Sequence, residues 1–264
     1  MPTSVLQAGA SAFVNFEDTG LSLAEISHRS PTANKILADT KERLATLMSI
    51  PDDYEIIFAH GGGTGGFASV VFNLVSVWVE KRRRYAEQEL GAGKEGEVLE
   101  QVREAVKNEL KVDYLVTGSW SLKASQEAAN LLEPIGKNIV NVAIDARKSN
   151  NGRFGKIPDE EQWNLTPKTK NGSRGSAFVY FCDNETVDGV EFPQFPTPLE
   201  SGRASTEEAP VVVADMSSNF LSRNVDVTKY AVIFVSLLFM GIWPLTNPAR
   251  AVLKRTSVSP TRPS

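Results

Sequence analysis

The chain has 264 residues, of which 41% are hydrophobic and 23% are charged, and this composition is that of a globular protein with a sizeable core. The formal net charge of −4 gives no general reason to expect nucleic-acid binding. The single cysteine, Cys182, excludes an intrachain disulfide, and with only two histidines a metal centre built from several cysteines or histidines is excluded as well. No basic stretch leading into an apolar run follows Met1, so we expect a reduced, cytoplasmic protein without a secretory signal.

The first elements are predicted from boundary signals and apolar periodicity. Ser30 and Pro31 form a typical helix start, with a side-chain cap before proline at the first helical position, and Pro51 lies beyond the helix end. The run Glu55–Ala59 is typical of a buried strand. A glycine loop separates this strand from the helical pattern of Phe67–Val79.

The stretch from Lys81 to Leu110 is highly charged but carries one apolar stripe at helical spacing. This pattern predicts a surface helix with one face packed on the rest of the protein, and it assigns the stretch no functional role. The stripe consists of Val98, Leu99, Val102, Val106 and Leu110.

The rest of the chain alternates between strand and helix patterns. Tyr114–Thr117 and Asn138–Ala143 are predicted strands, and Ser121–Leu132 is a predicted helix between them. Residues 147–176 are predicted to form a long irregular excursion. The alternation indicates an α/β fold with three layers and a mainly parallel sheet. Further apolar strand patterns are Ala177–Cys182, Pro210–Ala214 and Tyr230–Phe234.

An almost unbroken apolar run extends from Ala231 to Leu245 and has two interpretations. A membrane-spanning helix needs about 20 apolar residues, and this run is shorter and contains Gly241 and Pro244. A buried parallel strand explains the first part of the run more simply. A tail-anchored membrane protein is kept as an alternative, and residues 256–264 are expected to be disordered.

The loop His60–Gly66 carries the strongest local signal for ligand binding. Glycines let the backbone approach an anion closely, and a following helix presents free N–H groups and the positive end of its dipole. Gly61, Gly63 and Gly66 also fit the dinucleotide-binding pattern. However, Glu80, which has the spacing of the acidic residue in that pattern, lies in a stretch predicted to be helical. A tight strand-to-helix turn without a ligand explains the same glycines, whereas a P-loop is excluded because no Gly-Lys-Ser/Thr follows.

Other candidate residues each have a structural alternative. Asp215 fits the carboxyl end of a strand, where open α/β sheets bind ligands. Trp120 is also explained as a core residue and Thr186 as a turn former. Arg29 offers a two-pronged match to carboxylate or phosphate, but a solvated side chain before a helix is the simpler explanation. Cys182 lies in an apolar strand and is expected to pack there, not to act as a nucleophile.

Five short segments together resemble a known family. They are Glu25–Ser30, His60–Gly65, Val116–Trp120, Cys182–Thr186 and Val213–Ser218. In this order they resemble the phosphoserine aminotransferases, which are class V pyridoxal-phosphate enzymes, and the resemblance extends from about Pro2 to Phe234. It implies the large domain of fold-type I pyridoxal-phosphate transferases, present here in incomplete form.

The resemblance implies pyridoxal 5'-phosphate as cofactor and gives each cofactor residue a role. The backbone at Gly63 and Thr64 would hold the phosphate, and Trp120 would stack on the pyridine ring. Thr186 would hydrogen-bond near the 3-hydroxyl of the ring. Asp215 would pair with the ring nitrogen and keep it protonated, which makes the ring an electron sink.

The resemblance also implies a reaction and partners. Arg29, with His28 beside it, would bind the substrate carboxylate. The implied reaction converts L-glutamate and 3-phosphohydroxypyruvate to 2-oxoglutarate and O-phosphoserine in L-serine biosynthesis. A homodimer is expected, and no metal takes part.

The chain departs from the family after Phe234. Counted without gaps from Asp215, the position of the Schiff-base lysine is occupied by Phe239, and the glutamine expected before it is Leu238. Phenylalanine cannot form an imine, so we expect no catalytic residue and negligible transamination.

We therefore divide the chain into a partial large domain, 1–234, and a divergent, disordered or non-native tail, 235–264, with the family's small C-terminal domain absent. A misread splice junction or a frameshift is the hypothesis for the change. The alternative function is a non-catalytic truncated form that binds the cofactor or a full-length subunit.

Overall fold

The computed structural model describes residues 2–59, 62–167, 175–200, 211–236 and 239–244. The chain divides into two compact units, residues 1–50 and residues 51–264. The predictions for His60, Gly61, Leu238 and residues 245–264 therefore concern positions outside the described residues.

The first unit is helical. It contains helix α1, Thr3–Val14, and helix α2, Pro31–Met48, with a short 3-10 turn at Phe16–Asp18 between them. The predicted cap of α2 is confirmed, because the Ser30 hydroxyl accepts a hydrogen bond of 3.1 Å from the backbone N–H of Ala33. The helix ends where Ser49 takes a left-handed conformation, with φ 51°, two residues before Pro51.

The second unit combines one large sheet with three long helices and a small hairpin. Its helices are α3, Gly63–Leu90; α4, Glu95–Glu109; and α5, Ser119–Leu132. The strands of the large sheet are β1, Tyr54–Ala59; β2, Lys111–Val116; β3, Val140–Asp145; β4, Ser176–Cys182; β7, Val212–Asp215; β8, Val232–Phe234; and β9, Phe239–Pro244. The hairpin consists of β5, Asn184–Glu185, and β6, Val190–Glu191.

The strand order of the large sheet is β1-β9-β8-β7-β4-β2-β3. Strand β9 runs antiparallel to both of its neighbours, and the described pairings among β8, β7, β4, β2 and β3 are all parallel. The two antiparallel steps leave β1 parallel to these strands. The predicted mainly parallel α/β fold is confirmed, and the carboxyl ends of six strands lie at one edge of the sheet.

The core lies between the sheet and helices α3 and α5. Tyr114 and Tyr180, on adjacent strands, have ring centroids 5.1 Å apart, and Phe67 of α3 meets Tyr180 edge to face at 5.5 Å. All three side chains are buried, so burial of apolar area holds α3 on this face. Phe181 faces the other way, and its ring lies 4.9 Å from that of Phe192.

The charged stretch from Lys81 to Leu110 forms the end of α3 and all of α4. Val98 and Val102 of α4 are buried against Ala86 of α3, as the apolar stripe predicted. Leu99 differs, since 49% of its surface is exposed on the outer side of α4. Helix α3 is also longer than the predicted Phe67–Val79.

The exposed side of α3 is lined by ion pairs. Glu80 accepts hydrogen bonds from Arg83 and Arg84, at 2.7 and 2.9 Å. The hydrogen bond from Arg83 is the main reason why the pKa of Glu80 is lowered to about 2. These arginines are paired with acidic residues of the same helix, so they do not form a free basic patch.

The apolar run Ala231–Leu245 contributes two strands to the large sheet. Val232–Phe234 forms β8, and Phe239–Pro244 forms β9 between β8 and β1. Within the segment 235–264, expected to be a divergent, disordered or non-native tail, residues 239–244 pair with strands on both sides. The division of the chain at residue 234 stays a prediction. Among the described residues, no helix is both long enough and apolar enough to span a bilayer.

Candidate cofactor site

The residues expected to bind the cofactor lie at the carboxyl edge of the sheet. Gly63 and Thr64 are the first two residues of α3, directly after the loop that follows β1. Trp120 is the second residue of α5, which follows β2, and Asp215 is the last residue of β7. Thr186 is an exposed residue in the turn between β5 and β6, a hairpin that begins immediately beyond β4.

Asp215 is held by three hydrogen-bond donors. The backbone N–H and the hydroxyl of Ser217 both donate to Oδ1, the backbone N–H at 2.9 Å, and the Tyr180 hydroxyl donates to Oδ2 at 3.0 Å. Ser217 is itself fixed, because its hydroxyl accepts a 2.8 Å hydrogen bond from the backbone N–H of Ser236. The carboxylate therefore has a fixed orientation at the end of β7.

This arrangement leaves Asp215 able to accept one more hydrogen bond. A carboxylate has about four acceptor positions, and three donors occupy both positions on Oδ1 and one on Oδ2. Burial raises the pKa of Tyr180 well above its usual value, so its hydroxyl stays protonated and continues to donate. The remaining position on Oδ2 is suited to a protonated ring nitrogen.

The N-terminus of α3 has no cap of its own. Gly62 precedes the helix with φ 121°, a conformation that favours glycine, and it supplies no side-chain acceptor. Within the described residues, the N–H groups of Gly63, Thr64 and Gly65 have no hydrogen-bond acceptor. These three groups are the orphan donors of a helix start, and they are available to an anion.

The N-terminus of α3 and Asp215 are connected through Ser236. A Cβ atom placed on Gly63 would lie 3.4 Å from the Ser236 Cβ, so Ser236 lies beside the start of α3. Ser236 in turn donates to Ser217, which donates to Asp215. The uncapped start of α3 and the Asp215 carboxylate are thus parts of one packed region.

The N-terminus of α5 is capped, in contrast to that of α3. The N–H groups of Trp120 and Ser121 donate to the two oxygens of Glu185, both at 2.8 Å. The N–H of Ser119 donates to Asp188 Oδ2 at 2.6 Å. The first three N–H groups of this helix are therefore all bound by carboxylates from the β5–β6 hairpin.

The Trp120 ring remains available for contact. Its side chain is about half exposed, and the Lys123 ammonium lies 4.7 Å from the ring centroid. A flat aromatic surface at this edge of the sheet is suited to stacking on a planar ligand.

The expected substrate residues, His28 and Arg29, belong to the other unit. Both are exposed and lie in the turn before α2, where the backbone N–H of Arg29 donates to the Ser27 hydroxyl at 3.4 Å. The structure places the five residues expected to bind the cofactor in one unit, and His28 and Arg29 are not part of that unit.

Phe239, at the position expected for the lysine, is the first residue of β9. Its backbone pairs with Ala59, the last residue of β1, so it lies at the same sheet edge as the start of α3. Cys182 is buried, and burial together with the charge of Asp215 raises the pKa of its thiol well above the usual value. The thiol therefore stays protonated near neutral pH, which agrees with a packing role. In the described part of the chain, no cluster of three or more metal-ligating side chains occurs.

Sequence reasoning missed the residues that support the site. Ser217 lies in the Val213–Ser218 segment, but no pattern in the sequence indicates its contact with Asp215, and none indicates the contacts of Tyr180 and Ser236. The hairpin that places Glu185 does have a signal, because Asp188-Gly189 is a typical hairpin turn, and Gly189 has φ 66°.

Comparison with known proteins finds similar sequences and similar structures. No family model matches the chain. Phosphoserine aminotransferase from Saccharomyces cerevisiae is 41% identical over 233 residues, which cover 88% of this chain and 49% of that protein. A putative phosphoserine aminotransferase from Schizosaccharomyces pombe is 33% identical over 274 residues, covering 99% of this chain and 60% of that protein.

Solved structures show the same similarity. The pyridoxal-phosphate-bound phosphoserine aminotransferase from Trichomonas vaginalis matches with a TM-score of 0.67 and 27% identity, over 100% of this chain and 59% of that one. The phosphoserine aminotransferase from Bacillus circulans matches with a TM-score of 0.64 and 24% identity, over 92% and 54% of the two chains. The resemblance and the fold class are confirmed, and the chain spans 49% to 60% of the length of these four proteins.

Proposed function

We propose that this chain, by sequence a member of the phosphoserine aminotransferase family, forms the cofactor-binding part of a pyridoxal-phosphate enzyme. The enzyme would transfer the amino group of L-glutamate to 3-phosphohydroxypyruvate and yield 2-oxoglutarate and O-phosphoserine, a step of L-serine biosynthesis. Residues 1–234 would belong to its large domain, and a homodimer would be its assembly.

The observation that carries this proposal is the difference between two helix starts at one sheet edge. The first three N–H groups of α5 are already bound to Glu185 and Asp188, whereas those of α3 are not bound within the described residues. A phosphate at this edge would therefore bind at Gly63 and Thr64, where the helix dipole also favours an anion. No lysine is needed for this contact.

The other proposed cofactor contacts lie at the same carboxyl edge of the sheet. Asp215 would accept a hydrogen bond from the ring nitrogen at its free Oδ2 position and keep that nitrogen protonated. Trp120 would stack on the ring, and the Thr186 hydroxyl would bind near the 3-hydroxyl. The bound cofactor supplies an electron sink for the substrate carbanion, and Arg29 with His28 would bind the substrate carboxylate.

Phe239 decides what the chain can do by itself. The family's lysine bonds the cofactor covalently and moves the substrate proton, and a phenylalanine at this position can do neither. We therefore propose that this chain binds the cofactor without a covalent bond and does not turn over. Binding to a full-length subunit is the alternative role for such a chain.

Cofactor binding by the purified chain tests the site. Titration with pyridoxal 5'-phosphate, followed by tryptophan fluorescence and equilibrium dialysis, should give saturable binding. Asp215→Asn should weaken it about tenfold or more, because a charge-assisted hydrogen bond contributes about 1.5–3 kcal/mol. Asp226→Asn is the matched control, since Asp226 caps only the turn at Thr228, and its affinity should be unchanged. Equal affinities of both variants and the unsubstituted chain would contradict the assignment of Asp215.

A second experiment tests the lysine position. The unsubstituted chain, given glutamate, 3-phosphohydroxypyruvate and cofactor, should release no measurable 2-oxoglutarate. Phe239→Lys should retain cofactor after borohydride reduction and denaturation, detected by mass spectrometry, while Phe239→Met should not. Turnover by the unsubstituted chain, or adducts in both variants at another residue, would refute the proposal for this position.

A further inference from the structure

Glu185 is completely buried, which is unusual for a glutamate. Its carboxylate oxygens accept the N–H groups of Trp120 and Ser121, both at 2.8 Å. A buried carboxylate is tolerated when such donors replace its water, and the positive end of the α5 dipole favours its charge. Glu185 is therefore hydrogen-bonded to the backbone of Trp120, the residue proposed to stack on the cofactor.

Gly118 makes this contact possible. A Cβ atom at residue 118 would lie 2.5 Å from both Cγ and Cδ of Glu185, a distance that real atoms do not adopt. The carboxylate thus occupies the volume that any other residue type would need at position 118.

The hairpin is fixed to α5 at a second point. Asp188 accepts hydrogen bonds from the backbone N–H of Ser119 at 2.6 Å and from its hydroxyl at 3.2 Å. Within the turn, the backbone oxygen of Glu185 accepts from the N–H of Gly189 at 2.8 Å. Thr186 lies between these two anchors, so the turn that carries it cannot move independently of the start of α5.

A helix start needs only a local serine, threonine or aspartate as a cap. Here the cap comes instead from the turn that carries Thr186, and it binds the backbone of Trp120 itself. We propose that Glu185 is a positioning residue that fixes the Trp120 ring relative to Thr186, so that the planar cofactor is stacked and hydrogen-bonded in one orientation. This inference rests on the proposed cofactor site.

A double-mutant cycle on cofactor affinity tests the proposal. Glu185→Gln has one acceptor oxygen in place of two, so one of the two N–H groups loses its partner. It should weaken cofactor binding about tenfold, and in a Trp120→Ala background it should cause less than a twofold further change. Equal effects of Glu185→Gln in both backgrounds would show that Glu185 acts only on general stability, and would overturn the proposal.

Val98→Ala is the control for lost stability. Val98 is buried between α3 and α4, away from the hairpin, and its truncation removes apolar contacts without touching the site. It should lower the unfolding midpoint and leave cofactor affinity unchanged. A loss of affinity in Val98→Ala as large as that in Glu185→Gln would also overturn the proposal.

A readout without cofactor separates this inference from the proposed function. In protein labelled with 5-fluorotryptophan, the Trp120 fluorine resonance is assigned by its loss in Trp120→Phe. Glu185→Gln should shift or broaden this resonance and leave that of the buried Trp78 unchanged. An unchanged Trp120 resonance refutes the positioning role. If the unsubstituted chain binds no cofactor, the proposed function fails, and the positioning of Trp120 is decided by this spectrum.

Discussion

Gly118→Ala is the most direct test of how closely the β5–β6 hairpin packs on α5. The backbone of Gly118 is extended, with φ −162°, so alanine meets no conformational strain there. The added Cβ atom would lie 2.5 Å from Glu185 Cγ and 2.6 Å from its Oε2. Because the backbone can accept alanine, any destabilisation must come from displacing Glu185.

The size of the effect follows from the contacts that Glu185 would lose. Two N–H groups donate to its carboxylate, and a hydrogen bond to a charged group contributes about 1.5–3 kcal/mol. Overpacking of a filled site costs a further ~1–3 kcal/mol. If the side chain moves enough to lose one of the two bonds, the unfolding free energy should fall by about 3–5 kcal/mol.

The measurement is urea unfolding followed by far-UV circular dichroism. Gly96→Ala is the matched control, because Gly96 lies within α4 and a Cβ atom there has no neighbour within 4 Å. That variant should gain about 0.5–1 kcal/mol from better helix propensity. A loss below about 0.5 kcal/mol in Gly118→Ala would refute the close packing of Glu185, since surface substitutions vary by that amount.

Two other predictions concern ion pairs outside the site. Arg83 chiefly holds the pKa of Glu80 at about 2, below its usual 4.5, so Glu80 stabilises the fold above pH 4.5 and loses this effect as the pH falls towards 2. Glu80→Gln should therefore reduce the loss of unfolding free energy over this range by about 1 kcal/mol, as the pairs are partly exposed; equal pH slopes in urea titrations would contradict this. Arg223→Met leaves the buried carboxylate of Asp183 without its cation and should cost about 3 kcal/mol. The double variant with Asp183→Asn should recover part of that loss in the same assay, and a further loss would contradict the ion-pair explanation.

Much of the parallel sheet could be predicted from the sequence. Buried parallel strands need continuous apolar runs, and Ala177–Cys182 and Tyr230–Phe234 have this character. The start of α2 was predictable because the Ser30 cap and Pro31 are local signals. These features depend on residues that are close together in the sequence, so the sequence alone indicates them.

Features that depend on distant partners could not be predicted. The run at Phe239–Pro244 is apolar whether it forms a helix or a strand, and its antiparallel direction is set by pairing with β1 and β8. Glutamate is a residue type that is usually exposed. The burial of Glu185 is explained by the N–H groups at the start of α5, which would otherwise have no acceptor. The position of Asp215 at the end of a strand predicts ligand binding. The hydrogen bonds from Tyr180 to Asp215 and from Ser236 to Ser217 join residues that meet only after the chain has folded.

The place of β9 in the sheet affects how the chain can assemble during synthesis. Among the described strands, β1 is joined to the sheet by β9 alone, although the two are far apart in the sequence. Strands β2, β3 and β4 can pair as soon as they leave the ribosome, whereas β1 must wait for residues 239–244. Until then β1 has no strand partner and β8 presents an unpaired edge, so a nascent chain that stalls before residue 239 is the species most exposed to aggregation.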